Sequence, residues 1–274
     1  MRQEITIDNI HVATVEILKK IIEICEKLKI NYFLAYGTLI GAIRHKGFIP
    51  WDDDCDITML RPDYDKFIEF CLQNERDLYP FKLLCKKNTK NYPYNIPRFN
   101  DMRYEAVYEN TQKYKSGMFV DIYPLDGVDI SDEKLILKIN KNRNYLKKMI
   151  IWATDDHFEV SKHNKWYRTI IKFLARGYAK LRGANFFLDK LESYKDVFDY
   201  EKSSFVGDMV WDFTTIPLKK EWFSSYVFMP FENIDVKVPI GYDEFLKVYY
   251  GDYLQLPPVE NRVPSHGYKL YKRG

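Results

Sequence analysis

Residues 32–65 read YFLAYGTLIGAIRHKGFIPWDDDCDITMLRPDYD, and the chemistry of the chain turns on this stretch. Asp54-Cys55-Asp56-Ile57 alternates carboxylate with apolar residue. Strand side chains alternate faces, so Asp54 and Asp56 share one side while Cys55 and Ile57 point into a core. Two such carboxylates repel unless a cation sits between them. Oxygen-only ligands select a hard cation such as Mg²⁺ or Mn²⁺, and two carboxylates leave coordination sites for phosphate oxygens. The competing reading of a short Asp run is an acidic surface loop. Asp52, Asp53, Asp54 and Asp56 fall within five positions, flanked by Ile49-Pro50-Trp51 and Ile57-Thr58-Met59-Leu60; that apolar setting argues against the loop.

Upstream, Tyr32 to Tyr36 reads as a short strand that stops at Gly37-Thr38, with a brief helix from Leu39 to Arg44. Backbone N–H groups at a strand-to-helix turn cradle phosphate, and glycine permits close approach. A Gly-Thr turn ahead of an Asp-x-Asp strand matches the pattern of the nucleotidyltransferase fold. A third carboxylate is expected from a neighbouring strand. Asp121, alone in Gly117-Met118-Phe119-Val120-Asp121-Ile122-Tyr123-Pro124, is the candidate, as a metal ligand or as the activator of an acceptor hydroxyl. Asp126 reads as an ordinary turn residue.

Elsewhere, Asp8 is placed to cap a helix whose stripe runs Val12, Val15, Leu18, Ile22, Cys25 and Leu28. Pro62 and Asp63 open a second helix carrying Tyr64, Phe67, Phe70 and Cys71. Strand-like pieces follow at Phe81–Cys85, Ile96–Phe99 and Met118–Tyr123. From about 132 to 199 the pattern is helical. It then returns to strands between Tyr226 and Ile240, a helix from Tyr242 to Tyr250 and a Pro-rich tail. These elements predict a single α+β domain over 1–274, a mixed sheet flanked by helices with a helical insertion at about 132–199.

Lys and Arg total 42 against 39 Asp and Glu, too even a balance for a dedicated nucleic-acid binder. The four cysteines, Cys25, Cys55, Cys71 and Cys85, show no zinc spacing and read as buried thiols of a cytoplasmic protein. The start, Met1-Arg2-Gln3-Glu4-Ile5-Thr6, lacks the apolar run of a signal peptide, and no stretch has the length of a spanning helix.

The run GTLIGAIRHKGFIPWDDDCDITMLRPDYDKF (37–67) resembles the defining segment of the LicD family, which includes bacterial phosphocholine transferases and to which fukutin and fukutin-related protein are similar. MFVDIYPLDGV (118–128) resembles the family's third-acid strand, and FENIDVKVPIGYDEFLKVYYGDYLQLPP (231–258) its C-terminal block. The resemblance implies a nucleotidyltransferase fold and metal-dependent transfer of a phospho-alcohol from a CDP-linked donor to a glycan, with CMP released. CDP-choline is the expected donor, and CDP-ribitol, CDP-glycerol and CDP-ethanolamine are the alternatives. Carried over by motif, Asp54, Asp56 and Asp121 are the metal ligands and Asp52 a further acid. Outside that chemistry stand nucleotidyl transfer and a non-catalytic glycan-binding module.

Other positions carry weaker signals. Arg44, His45 and Lys46 bring positive charge beside the acids and are candidates for the donor diphosphate, with a solvated loop as the rival reading. Arg98 is a further phosphate candidate, and His266 belongs to the family's C-terminal stretch. Trp51, with Tyr36 or Tyr123, offers ring faces for a trimethylammonium group, or simply packs in the core. Residues 162–182 hold Lys162, Lys165, Arg168, Lys172, Arg176, Lys180 and Arg182 with no acid. A basic amphipathic helix there suits anionic lipid, an anionic acceptor polymer, or plain solvent.

Overall fold

The computed structural model describes residues 4–108, 114–154, 166–212, 214–264 and 267–273. His266, Lys162 and Lys165 lie outside the described residues.

The first helix, α1, spans Ile7–Leu28 and is capped by Thr6, whose side chain accepts from the Asn9 N–H; Asp8 sits inside its first turn rather than at the cap. The buried stripe runs through Val15, Ile17, Leu18, Ile21, Ile24 and Cys25, leaving Val12 at 66% exposure. The expected stripe was thus rotated, because the sheet covers more of the helix than a three-and-four spacing from Val12 allows.

Strand β1 is only Phe33–Leu34, and helix α2 runs Tyr36–His45. Gly37 and Thr38 therefore belong to the first turn of α2, not to a turn ahead of it. Tyr36 opens that helix at φ 48, an unusual conformation for a bulky residue. Strand β2 is Asp56–Leu60 and leads into α3, Arg61–Gln73, with Pro62 in its first turn. Strand β3 (Phe81–Leu84) pairs with β4 (Arg98–Tyr108), which pairs with β5 (Ser116–Val128). Both β4 and β5 are longer than the sequence suggests. Every residue of β5 is buried, as befits a central strand covered on both faces. Asp126 lies within it, 0% exposed, and is not a turn residue.

The chain then forms α4 (Glu133–Thr154), α5 (Trp166–Arg182) and α6 (Ala184–Glu192). Short strands β6 (Phe205–Gly207) and β7 (Leu218–Lys219) extend the sheet beyond β5. Strands β8 (Tyr226–Phe231) and β9 (Ile234–Pro239) make a separate antiparallel hairpin, and α7 spans Tyr242–Tyr250. The tail adds β10, Tyr268–Lys272, which pairs antiparallel with β4 along its outer half.

The main sheet runs β1-β2-β5-β4-β10, with β2 and β5 parallel and the other described pairs antiparallel. The protein is a mixed α+β structure, a mixed sheet flanked by helices. One core joins Ile17 and Leu18 of α1, Phe67 of α3, Cys55 and Ile57 ahead of and in β2, and Val120 and Ile122 of β5. The hairpin is fastened to the loop before the acids: the Phe48 N–H donates to Glu232 Oε1 at 3.0 Å, and the Glu232 N–H to the Lys46 carbonyl at 2.8 Å. All four cysteines are buried free thiols. No helix among the described residues is long and apolar enough to cross a membrane.

Because β10 closes the edge of β4 and buries Leu270, Leu270→Ala should lower the unfolding free energy by about 2–4 kcal/mol in urea titration. A loss under about 0.5 kcal/mol would mean that the tail does not hold the sheet edge.

Candidate active site

Parallel pairing sets Asp56 directly beside Asp121. Side chains at matched positions of neighbouring strands share a face, so both carboxylates stand opposite the pleat that buries Cys55, Ile57, Val120 and Ile122. The Asp121 N–H donates to the Cys55 carbonyl at 2.9 Å, locking the register at the acids. Thr38 reaches in from α2, and its hydroxyl accepts from the Asp56 N–H at 2.9 Å. Thr38 is buried, so its hydroxyl holds the acid strand.

Gly37 permits a second close approach. A Cβ built there would lie 2.8 Å from Asp52 Oδ2, so only glycine lets that carboxylate sit against the open end of α2. The first turn of α2 has no side-chain cap, which leaves its dipole directed at the acids.

Asp56 and Asp121 are each 7% exposed, Asp53 is buried, and Asp52 and Asp54 are half-buried. Burial raises the proton affinity of Asp56 well above the usual carboxylate range, and Asp54, Asp121 and Asp52 raise it further. Asp56 Oδ1 is buried without a hydrogen-bond partner. An orphaned carboxylate oxygen among other acids suits a hard divalent cation. The donor chemistry therefore fits Mg²⁺ or Mn²⁺. As placed, however, no three acidic, His or Cys side chains among the described residues converge within reach of one ion.

Arg98 explains part of that. It stands opposite Asp121 on β4 and donates from Nε to Asp121 Oδ1 at 2.8 Å and from Nη2 to Oδ2 at 3.5 Å. Its Nη1 donates to the Tyr108 and Tyr114 hydroxyls. The guanidinium lies between the rings of Tyr94 and Phe119, 4.4 and 4.0 Å from their centroids. Arg98, expected as a phosphate ligand, is paired in this structure with Asp121.

Arg44 points toward the tail, donating from Nη1 to the Tyr253 and Gln255 carbonyls and from Nε to His45 Nε2. Arg262, which no sequence motif flagged, covers the ring of Trp51 at 5.5 Å, and Trp51 also meets His45 edge-on. Burial and the Arg262 charge both depress the proton affinity of Arg44, and burial and Arg44 do the same to His45. Two guanidiniums that repel each other, with no carboxylate partner among the described residues, form an anion-attracting pair beside the acids. Trp51 is consequently engaged by a cation of the protein itself, Arg262.

Tyr36 and Tyr123 do come together, with ring centroids 5.1 Å apart, and Tyr249 lies 5.2 Å from Tyr36. Tyr250 is 46% exposed, and the charges of Asp56, Asp54 and Asp212 reinforce the burial that pushes its hydroxyl upward.

Behind this aromatic group lies a buried ionic cluster that the sequence did not announce. Arg143 of α4, 0% exposed, donates from Nη2 to the Asp212 carbonyl at 2.7 Å, contacts Asp208 Oδ1 at 3.6 Å, and bonds the Thr215 hydroxyl. Lys147 bonds the Trp211 carbonyl. Arg61 meets Asp126 at 2.6 Å. Nothing local marks these residues, because their partners lie about 65 positions or more away in the chain.

An acid at the start of β2 beside one in the middle of β5, an uncapped helix start and a flanking cationic pair are features that suit an enzyme of the phosphate-handling kind. The model of the family described as LicD/FKTN/FKRP, nucleotidyltransferase domain, matches residues 29–169. The chain is 30% identical to lipopolysaccharide cholinephosphotransferase LicD of Haemophilus influenzae over 275 aligned residues, covering 98% of this chain and 99% of that protein. It is also 31% identical over 120 residues to uncharacterized protein RP689 of Rickettsia prowazekii, covering 40% of this chain and 44% of the other. The chain belongs to the LicD family.

Burial lifts Asp212, near Asp208, and Asp126 from 3.8 to about 6. A carboxyl whose folded pKa exceeds its unfolded one contributes stability below the unfolded value and loses it as pH rises through the folded one. Unfolding free energy should therefore fall between pH about 4 and about 6. Asp212→Asn should reduce that fall by on the order of 1 kcal/mol in urea titrations across the window. An unchanged slope would show that Asp212 titrates as an ordinary surface acid.

Proposed function

We propose that this chain transfers phosphocholine from CDP-choline to a lipopolysaccharide-type glycan acceptor, releasing CMP, on a nucleotidyltransferase-like fold. It is a phosphotransferase. The supports are its near full-length likeness to a cholinephosphotransferase and one observation above the rest. Asp56 stands beside Asp121 in parallel register, with Asp56 Oδ1 buried and unpartnered.

In this reading Asp54, Asp56 and Asp121 hold Mg²⁺ or Mn²⁺. When bound, the ion supplies charge neutralisation at the donor diphosphate. The Asp52 carboxylate already faces the open end of α2 at Gly37, so in this reading capture of the anionic donor diphosphate falls to the ion and to the cationic pair. Arg44 and Arg262 attract its negative charge. The acceptor hydroxyl attacks the phosphorus bearing choline, the bond to the CMP oxygen breaks, and the hydroxyl proton passes to a carboxylate of the acid set. Tyr36, Tyr123, Tyr249 and Tyr250 group rings beside the acids, a surrounding that favours a trimethylammonium group over a polyol.

A donor screen tests this. CDP-choline, CDP-ethanolamine, CDP-ribitol and CDP-glycerol are each supplied with Mg²⁺ or Mn²⁺ and a lipopolysaccharide acceptor, and CMP release is scored. CDP-choline should exceed the polyol donors by at least about tenfold in kcat/KM. Asp56→Asn should lower kcat by roughly a hundredfold or more, with thermal stability unchanged or raised, because it removes a charge that burial and the neighbouring acids oppose. A polyol donor in the lead would reassign the alcohol. Transfer of label from CTP to the acceptor would replace the reaction with nucleotidyl transfer.

Arg44→Gln and Arg262→Gln should each raise KM for the donor by about three- to tenfold with kcat little changed. Equal losses in kcat would place these residues in the chemistry instead of in donor capture.

A further inference from the structure

Helix α5 is amphipathic in the reverse sense for a helix of a globular protein. At 100° per residue, Ile170, Ile171, Phe173, Leu174, Tyr178 and Leu181 fall on about half of its circumference. The opposite half carries Lys172, Ala175, Arg176, Ala179 and Lys180. An ordinary surface helix turns its apolar half inward. Here Ala179 is fully buried and Lys172, Ala175 and Arg176 are half-buried, whereas Leu181 is 85%, Leu174 65%, Phe173 64% and Ile171 62% exposed. Ala179 packs on the neighbouring helices with Lys172, Ala175 and Arg176 half-buried beside it, and the apolar half faces outward. A helix that merely needed solvation would have the two halves exchanged.

α5 is held in that attitude from behind. Ala179 shares a core with Leu146, Met149 and Ile150 of α4 and Phe187, Leu188 and Leu191 of α6. The Arg182 guanidinium covers the rings of Tyr178 and Phe186 at 5.6 and 4.7 Å. Turning the apolar half inward would require dismantling this small core. The outward face is therefore built in.

What covers it is indicated by charge. Residues 166–182 contain five Lys or Arg and no acid. Lys180 and Arg182 are exposed at the rim of the apolar face. A second copy of the same face would bring cations against cations, which disfavours self-association. A phospholipid surface with anionic headgroups accepts the apolar side chains among its acyl chains and the basic rim among its phosphates.

We infer that α5 is a membrane-docking helix that lies in the interface of an anionic lipid bilayer. This rests on the orientation of α5 and on its charge, and it stands whether or not the donor is CDP-choline. It also gives the enzyme a means of meeting a lipid-borne acceptor at the surface that carries it.

Co-sedimentation of the full chain with vesicles is the test, comparing phosphatidylcholine alone with phosphatidylcholine containing about 30% phosphatidylglycerol. The protein should bind the anionic vesicles at least about tenfold more tightly than the neutral ones, and less tightly as salt rises from roughly 0.1 to 0.5 M. Phe173→Glu combined with Leu174→Glu should reduce binding to anionic vesicles by at least about tenfold with an unchanged circular-dichroism melt. Lys180→Glu with Arg182→Glu should weaken it by about threefold or more and flatten its salt dependence. Failure of the unaltered chain to bind anionic vesicles would overturn the inference. So would binding that the Phe173/Leu174 variant retains, or a stable dimer that this variant converts to monomer.

Discussion

The parallel pairing of β2 with β5 is the constraint on which the rest of the molecule depends. It sets Asp56 and Asp121 side by side on one face of a sheet whose other face is apolar. Neither carboxylate is well solvated, and Asp121 adds to the burial and the Asp54 charge that oppose ionisation of Asp56. The surrounding structure answers that repulsion. Arg98 arrives on the next strand opposite Asp121, its guanidinium fixed by two aromatic faces and two tyrosine hydroxyls. Thr38 ties the acid strand to α2, and Glu232 ties the loop ahead of the acids to the hairpin. The energetic tension at Asp56 Oδ1 is left unrelieved by the protein itself.

Much of this was legible in residues 32–67 because both determinants are local. The alternating pattern is realised from Asp56 onward, with Ile57 buried as it requires, whereas Asp54 and Cys55 precede the strand, which the sequence pattern starts two residues early. The α7 helix also runs from Tyr242 to Tyr250 as its pattern indicates. The departures come from tertiary pairing. Phe33–Leu34 is a minimal strand because the chain turns into α2 at Tyr36, in a conformation that propensity would assign to glycine. Strands β4 and β5 run past their apolar centres because β10, β3 and β6 supply partners from distant sequence. Asp126 looks like a turn acid beside Gly127, yet it is buried against Arg61. Arg98 read as a phosphate ligand because a lone arginine carries no mark of the acid it will face.

The helices after β5 do more than decorate the sheet. Arg143 and Lys147 of α4 donate to the backbone carbonyls of Asp212 and Trp211, and Arg143 also bonds the Thr215 hydroxyl. The Asp208 and Asp212 carboxylates act on Tyr36 and Tyr249, next to the acids. Electrostatic influence therefore runs from the buried ionic cluster through the aromatic group toward the acid that opens β2. Removing one ion of such a cluster leaves its partner charged and dry, which is costlier than never having buried the pair. On its outer side the same group of helices carries the exposed apolar face of α5, so one lobe both braces the site and presents a docking surface.

The account rests on the acids of β2 and β5 acting as one cation site, and Mn²⁺ binding followed by electron paramagnetic resonance tests that most directly. With CDP-choline present, the free Mn²⁺ signal should diminish saturably with the unaltered protein, and Asp56→Asn should abolish that uptake while the fold stays intact. Uptake of Mn²⁺ that is the same in the Asp56→Asn protein, or no uptake by the unaltered one, would contradict it.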